Sequence, residues 1–366
     1  MFWSFTKRLV FLSIFSAPIM AFESADKGEE ALDILSLLGI PLVQPFHDDA
    51  SANSYLKEDS RKYQEQSYKG HKGLRNYGNT CYINAVTYLI ANTSLHRLVT
   101  ENREGYEKEA ARSNLKLRNA LKKLLKSMKS NAEDSHHQLI LRNYLKELNT
   151  ALKGGLGGSI YMQQDAAEFL DLLLQALGAH ESEFEMIQRE QITYADDRDA
   201  IIYDNPYKIL RLPIEGHSVN DLAENYFSRE TFKTSEQDEP LIEKYRQVGL
   251  VKAPKTLLVQ LKRFKPFIKI RSWVSLDRYV SLPIYSPTVA GLSKQIDDET
   301  YRLKALVVHQ GNSVKFGHYV SYEIKYRKSG TYLIKYDDEH ISRVPMSYLG
   351  SLLTKDAYLL AYERKN

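Results

Sequence analysis

Cysteine is all but missing from this chain: Cys81 is the only one in 366 residues. That excludes an internal disulfide framework, a zinc ribbon of paired CxxC knuckles and a CxxC redox centre. An excess of one charge is missing too. The 50 basic and 46 acidic residues are spread along the chain and leave a formal +4, with no basic groove to suggest a nucleic-acid partner. There is no internal repeat and no low-complexity tract. A membrane-spanning helix takes about 20 apolar residues, and the run from Leu9 to about Phe22 falls short of that. It follows Lys7 and Arg8 and has small residues near its end, with Ala21 a candidate cleavage residue, so residues 1–22 read as a signal peptide or short hydrophobic leader. A secreted protein is expected, with no membrane contact after leader removal. The alternatives are an uncleaved anchor in an organelle membrane and a mitochondrial-type leader. In an oxidising compartment, a lone thiol escapes capture in an internal disulfide.

What is present is the material of a sizeable core, with 43% hydrophobic and 11% aromatic residues. Residues 23–70 hold one apolar stretch, "ALDILSLLGIPLVQPF", closed by Pro41 and Pro45, and then a polar run. They read as a linker or N-terminal extension with a docking turn. From Gly73 to about residue 190 the pattern is helical. Thr80 or Asn79 is placed to cap a helix beginning at Cys81. Leu117, Leu121, Leu124 and Met128 share one helix face opposite lysines, the solvated face of an ordinary amphipathic helix. "GGLGGS" at 154–159 is a loop without a phosphate-binding fingerprint, and Ala167, Leu170, Leu174 and Leu177 mark another helix. After about residue 200 the period shortens toward two, in segments such as "TLLVQLKRF", "YRLKALVVHQ", "GHYVSYEIKY" and "GTYLIKYDD". Helices first and strands later indicate an α+β fold whose two halves meet at a cleft.

A thiol attacks as thiolate, and its pKa falls from about 8.5 at a helix N-terminus or beside a histidine. Cys81 has the first of these in its own sequence, and the histidine must come from elsewhere. His136 and His137, in "DSHHQ", read as a solvated pair in a polar loop. His47, in "FHDD", lacks the further ligands of a metal site. His318 begins a strand, and the next strand ends in Asp337–Asp338. A turn at "RKSG" between two antiparallel strands brings the start of the first beside the end of the second. That arrangement orients an imidazole through a carboxylate.

Four blocks, in order, resemble the ubiquitin-specific protease family: "GLRNYGNTCYIN" its Cys box, "MQQDAAEFLDLLLQAL" its Gln-Asp box, "APKTLLVQLKRF" its leucine-rich strand, and "VVHQGNSVKFGHYVSYEI…YLIKYDDEHISRV…AYLLAYER" its His box. "YKILRLPIEGHSVNDLAENYFSRE" looks like the segment leading into the family's fingers. The resemblance spans about 73 to 364 and implies a catalytic domain over 71–366. It implies a papain-like cysteine peptidase with a helical thumb, an antiparallel β palm and reduced fingers. The activity implied is a thiol-dependent deubiquitinase that cuts after the C-terminal Gly-Gly of ubiquitin. Its partners would be ubiquitin and ubiquitinated proteins, with no cofactor. By the same resemblance Cys81 is the nucleophile, His318 its base and Asp337 the residue that orients the imidazole. Asn76 supplies the oxyanion hole together with the Cys81 N–H, and Asp338 supports the oxyanion or the histidine. Gln163, Asp165 and Glu168 match positions that hold the basic ubiquitin tail, and His309, Tyr319 and Phe264 match positions lining its channel.

The chain departs from the family in places. About 20 residues separate "FSRETF" from "APKTLLVQL", none of them cysteine, where many members carry a four-cysteine zinc ribbon. Short fingers without structural zinc are expected, gripping the globular body of ubiquitin less firmly. Tyr77 replaces the usual leucine and Tyr88 the usual glutamine, neither of them a catalytic group. A short loop between His309 and His318 is expected to leave the channel more open. Two other functional readings stand beside the first: a protease for another ubiquitin-like modifier, and a non-catalytic ubiquitin-binding module. The second is disfavoured because Cys, His, Asn and Asp are all retained. A ubiquitin-directed enzyme behind a secretory leader further suggests a microbial effector exported into a host cell.

Overall fold

The computed structural model describes residues 66–365 apart from 69–70, 102–110, 131–132, 157, 181, 196–198, 235–241, 266–267, 288–290, 293, 314–315 and 352. The expected leader and most of the linker lie outside the described residues. The last part of that linker does not: Gln66–Ser67 forms strand β1, which pairs with a later strand of the sheet.

The helical half contains α1 (Cys81–Ala91), α2 (Arg112–Met128), α3 (Asp134–Ala151) and α4 (Ala166–Ala176). All eleven residues of α1 are buried, because it lies between the other helices and the sheet; a helix enclosed on every side has no polar face to show. In α2 the predicted stripe of Leu117, Leu121, Leu124 and Met128 is buried, and Lys116, Lys123 and Lys126 are exposed. Burying each such leucine contributes about 1.5–3 kcal/mol. The residues of "DSHHQ" open α3 rather than a loop. His136 is exposed, but His137 is buried between Ser127 Oγ (2.9 Å) and the Gly73 carbonyl (3.0 Å). The reading of a solvated pair is thus corrected: one helix turn points the second histidine inward.

The sheet half contains β2 (Met186–Tyr194), β3 (Ile201–Tyr207), β4 (Leu210–Leu212), α5 (Val219–Phe227), β5 (Glu230–Thr234), β6 (Ile242–Lys252), β7 (Thr256–Leu261), β8 (Phe264–Lys265), β9 (Ile268–Lys269), β10 (Tyr279–Tyr285), β11 (Gln295–Ser313), β12 (Phe316–Arg327), β13 (Gly330–Asp337), β14 (His340–Pro345) and β15 (Ala357–Arg364). Strand structure starts at Met186, inside the stretch read as helical, because "MIQREQITY" pairs on both sides, with β3 and with β6. Among the described residues one sheet runs β1-β14-β13-β12-β11-β10-β6-β2-β3, with β15 and β7 continuing from β11. The palm strands β10 to β14 are antiparallel neighbours. The hairpins β2–β3 and β5–β6 extend the sheet as fingers, tied by Arg189 to Asp204 (2.7 Å) and by Arg246 to Glu190 (2.6 Å).

Alternation along β11 divides the core. Ala305 and Val307 face the helices, whereas Leu306 and Val308 face a second cluster that includes Leu222 and Phe227 of α5. The α5 helix begins at a capping box of Ser218 and Asp221. Among the described residues no helix is long and apolar enough to cross a membrane.

Candidate active site

Cys81 is the first residue of α1. The expected cap from the Thr80 or Asn79 side chain is not made. Thr80 Oγ1 instead accepts from the Tyr77 N–H (2.9 Å), and Asn76 Oδ1 accepts from the Thr80 N–H (3.0 Å). The loop before the helix is therefore closed on itself, with Gly78 at φ +91° making its turn. The Cys81 side chain is buried, with Sγ 3.9 Å from Gln163 Oε1.

The palm brings the other groups. Arg327 pairs with Gly330 at the β12–β13 turn, and the ladder runs back to Ser321–Tyr336. His318 and Asp337 then meet at 2.6 Å, Nε2 to Oδ1, and Cys81 lies near enough to the imidazole to act on its charge. Burial alone would lower the His318 pKa. The hydrogen bonds to Asp337 and Cys81, and their charges, outweigh it and raise the pKa to about 10. Burial would raise Asp337, but the hydrogen bond from His318 and the charge of Lys335 hold it at about 2. His309, one strand over, has the opposite environment. Burial first, then the charges of Lys269, His318 and Arg271, lower it to about 3. It is neutral near pH 7, while His318 is charged.

Asp338 follows at the turn into β14, the one non-glycine residue with positive φ (+51°) among the described residues. Its carboxylate accepts from Asn76 Nδ2 (2.9 Å) and Asn84 Nδ2 (2.8 Å). Its carbonyl accepts from the Leu74 N–H (3.0 Å) and the Tyr88 hydroxyl (2.9 Å). Gly73 lies flat on the same turn, where a Cβ would stand 2.1 Å from the Glu339 carbonyl oxygen. The segment 73–76 is thus clasped to the turn that carries both acids. Asn76, with its oxygen on Thr80 and one amide hydrogen on Asp338, keeps one N–H uncommitted among the described contacts.

The six residues matched to the tail lie around this centre in two groups. Gln163 and Asp165 lead into α4, and Glu168 sits in its first turn. Asp165 is already engaged: Oδ1 caps the helix at Ala167 N (2.6 Å), and Oδ2 accepts from the Tyr358 hydroxyl (2.5 Å). Glu168 makes no ion pair among the described residues, and burial, then Asp165, raises its pKa. Both acids line a cavity of about 400 Å³ with Asp171, Leu172, Arg211 and Gln260. On the palm side, Phe264 packs edge-on to His309 (5.1 Å), and His309 edge-on to Tyr319 (4.7 Å). His309 is fully buried and lies over Gly317 (φ +151°), where a Cβ would come within 2.4 Å of Nε2. Among the described residues, both His309 ring nitrogens and Gln163 Nε2 are buried without a hydrogen-bond partner.

Several supports were not singled out in the sequence. Arg263, fully buried, donates to the carbonyls of Ile270, Ser272, Thr354 and Ala357, and Lys269 bonds Asp356 (2.6 Å) and the His309 carbonyl. Together they fix the β8–β9 hairpin that presents Phe264. Their signal is charge inside an apolar strand context, which by itself does not name a partner. Asn84 carried no signal beyond polarity on a buried helix, and Tyr88 stood out only as a departure from the family's usual glutamine.

A family model described as ubiquitin carboxyl-terminal hydrolase matches residues 72–362. Ubiquitin carboxyl-terminal hydrolase 36 of Drosophila grimshawi is 25% identical over 350 residues, covering 84% of this chain and 26% of that protein. Ubiquitin carboxyl-terminal hydrolase 4 of Arabidopsis thaliana is 24% identical over 356 residues, covering 80% and 92%. The chain thus spans about a quarter of the length of the Drosophila relative. Among solved structures, the SAGA Ubp8/Sgf11/Sus1/Sgf73 DUB module bound to ubiquitin aldehyde superposes with a TM-score of 0.63 at 19% identity, covering 87% of this chain and 75% of that one. A second structure of that module, bound to monoubiquitin, gives 0.62 at 19% identity, covering 92% and 84%. The α+β fold is that of these structures, and the match across 72–362 makes this chain a member of the ubiquitin carboxyl-terminal hydrolase family.

Proposed function

We propose that this protein is a thiol-dependent deubiquitinase that hydrolyses isopeptide or peptide bonds after the C-terminal Gly-Gly of ubiquitin. The observation that carries the reading is the His318–Asp337 pair, bonded at 2.6 Å, set beside the sulfur of Cys81 at the start of a buried helix. The sulfur attacks the glycine carbonyl, and the oxyanion that forms takes the uncommitted Asn76 N–H and the Cys81 N–H. His318 gives its proton to the leaving lysine amine, which departs and leaves a thioester. His318, now neutral, takes one proton from water as it attacks; the C–S bond then breaks, the freed sulfur is left beside the protonated His318, and the glycine carboxylic acid departs and gives its own proton to solvent.

The channel supports the same reading. Buried polar atoms without partners, on Gln163 and His309, are costly until something pairs with them, and a main chain entering between thumb and palm supplies donors and acceptors. Glu168 offers a carboxylate to an arginine of the tail. Asp165 acts from behind, as cap and as partner of Tyr358. Thiol-reactive traps built on ubiquitin and on its relatives test the substrate. Adduct on Cys81 with the ubiquitin trap first is expected; faster labelling by a relative assigns another modifier.

Export through the leader is part of the proposal and rests on the sequence of residues 1–22. N-terminal sequencing of the mature protein tests it: a start near residue 22 supports cleavage, and an intact leader contradicts it.

A further inference from the structure

We propose that Tyr88, where the family usually has glutamine, is a positioning residue that holds the oxyanion donor Asn76 by bracing the Asp338 turn. The inference rests on the catalytic reading above and adds a residue to it.

Tyr88 lies two turns into α1, far along the helix from Cys81, and is fully buried. A tyrosine there needs no explanation as core filler. Its ring is stacked on Tyr336, the neighbour of Asp337, at 4.5 Å and 28°, and phenylalanine would do that equally well. The hydroxyl is what filler does not account for. It accepts from the Leu74 N–H (2.8 Å) and donates to the Asp338 carbonyl (2.9 Å). One oxygen therefore links the segment that carries Asn76 to the turn that carries Asp338. Asn76 Nδ2 is itself held by the Asp338 carboxylate at 2.9 Å. The turn has a left-handed residue at its centre, a conformation that aspartate adopts only at some cost, so its position depends on what braces it. Without the hydroxyl, the Leu74 N–H and the Asp338 carbonyl keep only each other, and of the α1 side chains that hold the Asp338 turn only Asn84, on the carboxylate at 2.8 Å, is left. The consequence falls on the transition state, because Asn76 meets charge only when the oxyanion forms.

The test uses the full chain. Tyr88→Phe removes only the oxygen. In wild type the Asn76 side-chain amide should give a slowly exchanging pair of ¹⁵N–¹H signals, and in Tyr88→Phe these should exchange rapidly. That readout needs no substrate. With a fluorogenic ubiquitin C-terminal amide, kcat should fall about three- to tenfold, the size of one ordinary hydrogen bond, at unchanged KM. In an Asn76→Ala background, Tyr88→Phe should cost less than about twofold further, because coupled residues are not additive. An unchanged Asn76 signal, an unchanged kcat, or the full loss repeated in the Asn76→Ala background would each overturn the inference. If wild type turns over no ubiquitin substrate while Tyr88→Phe still frees the Asn76 amide, the deubiquitinase reading fails and the bracing role stands. Should Tyr88→Phe not fold, Tyr88→Gln decides: it keeps a donor and an acceptor, so retention of the Asn76 signal supports the role and its loss contradicts it.

Discussion

His309 and His318 are imidazoles on neighbouring strands with opposite charge states, and their surroundings explain why only one suits proton transfer. His318 is paired with a carboxylate and a sulfur; His309 has rings around it and cations behind it. The pH consequences carry opposite signs. His318 is raised from 6.5 to about 10, so its share of stability is full below pH 6.5 and is lost as pH rises through 10. Asp337 is lowered from 3.8 to about 2, so its share is full above pH 3.8 and is lost as pH falls through 2. The pair therefore stabilises most between these limits. His309 acts against the fold there: between pH 6.5 and 3 the unfolded chain binds a proton that the buried ring refuses, so stability falls as pH drops. Urea unfolding at pH 7 and 4.5 should show a smaller acid loss for His309→Gln than for wild type. Asp337→Asn should lower kcat by about 10²–10⁴-fold and move the His318 titration, followed by NMR, to lower pH.

At the scale of elements, the site hangs on the clasp between residues 73–76 and the β13–β14 turn. Gly73→Ala would push a methyl into the Glu339 carbonyl and cost about 1–3 kcal/mol, with activity falling beyond what the lost stability explains. Ser218→Ala, which breaks the α5 capping box, should cost about 0.5–2 kcal/mol and leave turnover intact. Thermal unfolding and turnover measured side by side on both variants separate the two cases. The clasp was only half legible in the sequence. Gly73, Asn76 and Asp338 stood in recognisable blocks, and the strand turn at 327–330 followed from local pattern. The contacts that join Asn76, Asn84 and Tyr88 to Asp338 cross 250 residues of chain or more, and no local periodicity records such a distance. Likewise His137 looked like loop because its two partners, Ser127 and Gly73, belong to other elements. Met186 to Glu190 read as helical, but strand pairing on both sides overrides that weak pattern.

For the molecule as a whole, the order of helices before strands was readable, and so was the cleft between them, since each half must bury one face of its own elements. The curvature of a single long sheet through palm and fingers was not, because it depends on which strands pair. With one cysteine and no family zinc ligands, activity and Tm are expected to be insensitive to EDTA; a loss of either on chelation would reveal a metal the account does not contain. The central claim is that Cys81 and its partners cut after ubiquitin. Its most direct test incubates the full chain, wild type and Cys81→Ala, with diubiquitins of every linkage. Release of monoubiquitin by wild type alone is predicted; no release by wild type from any linkage, or equal release by both proteins, would contradict it.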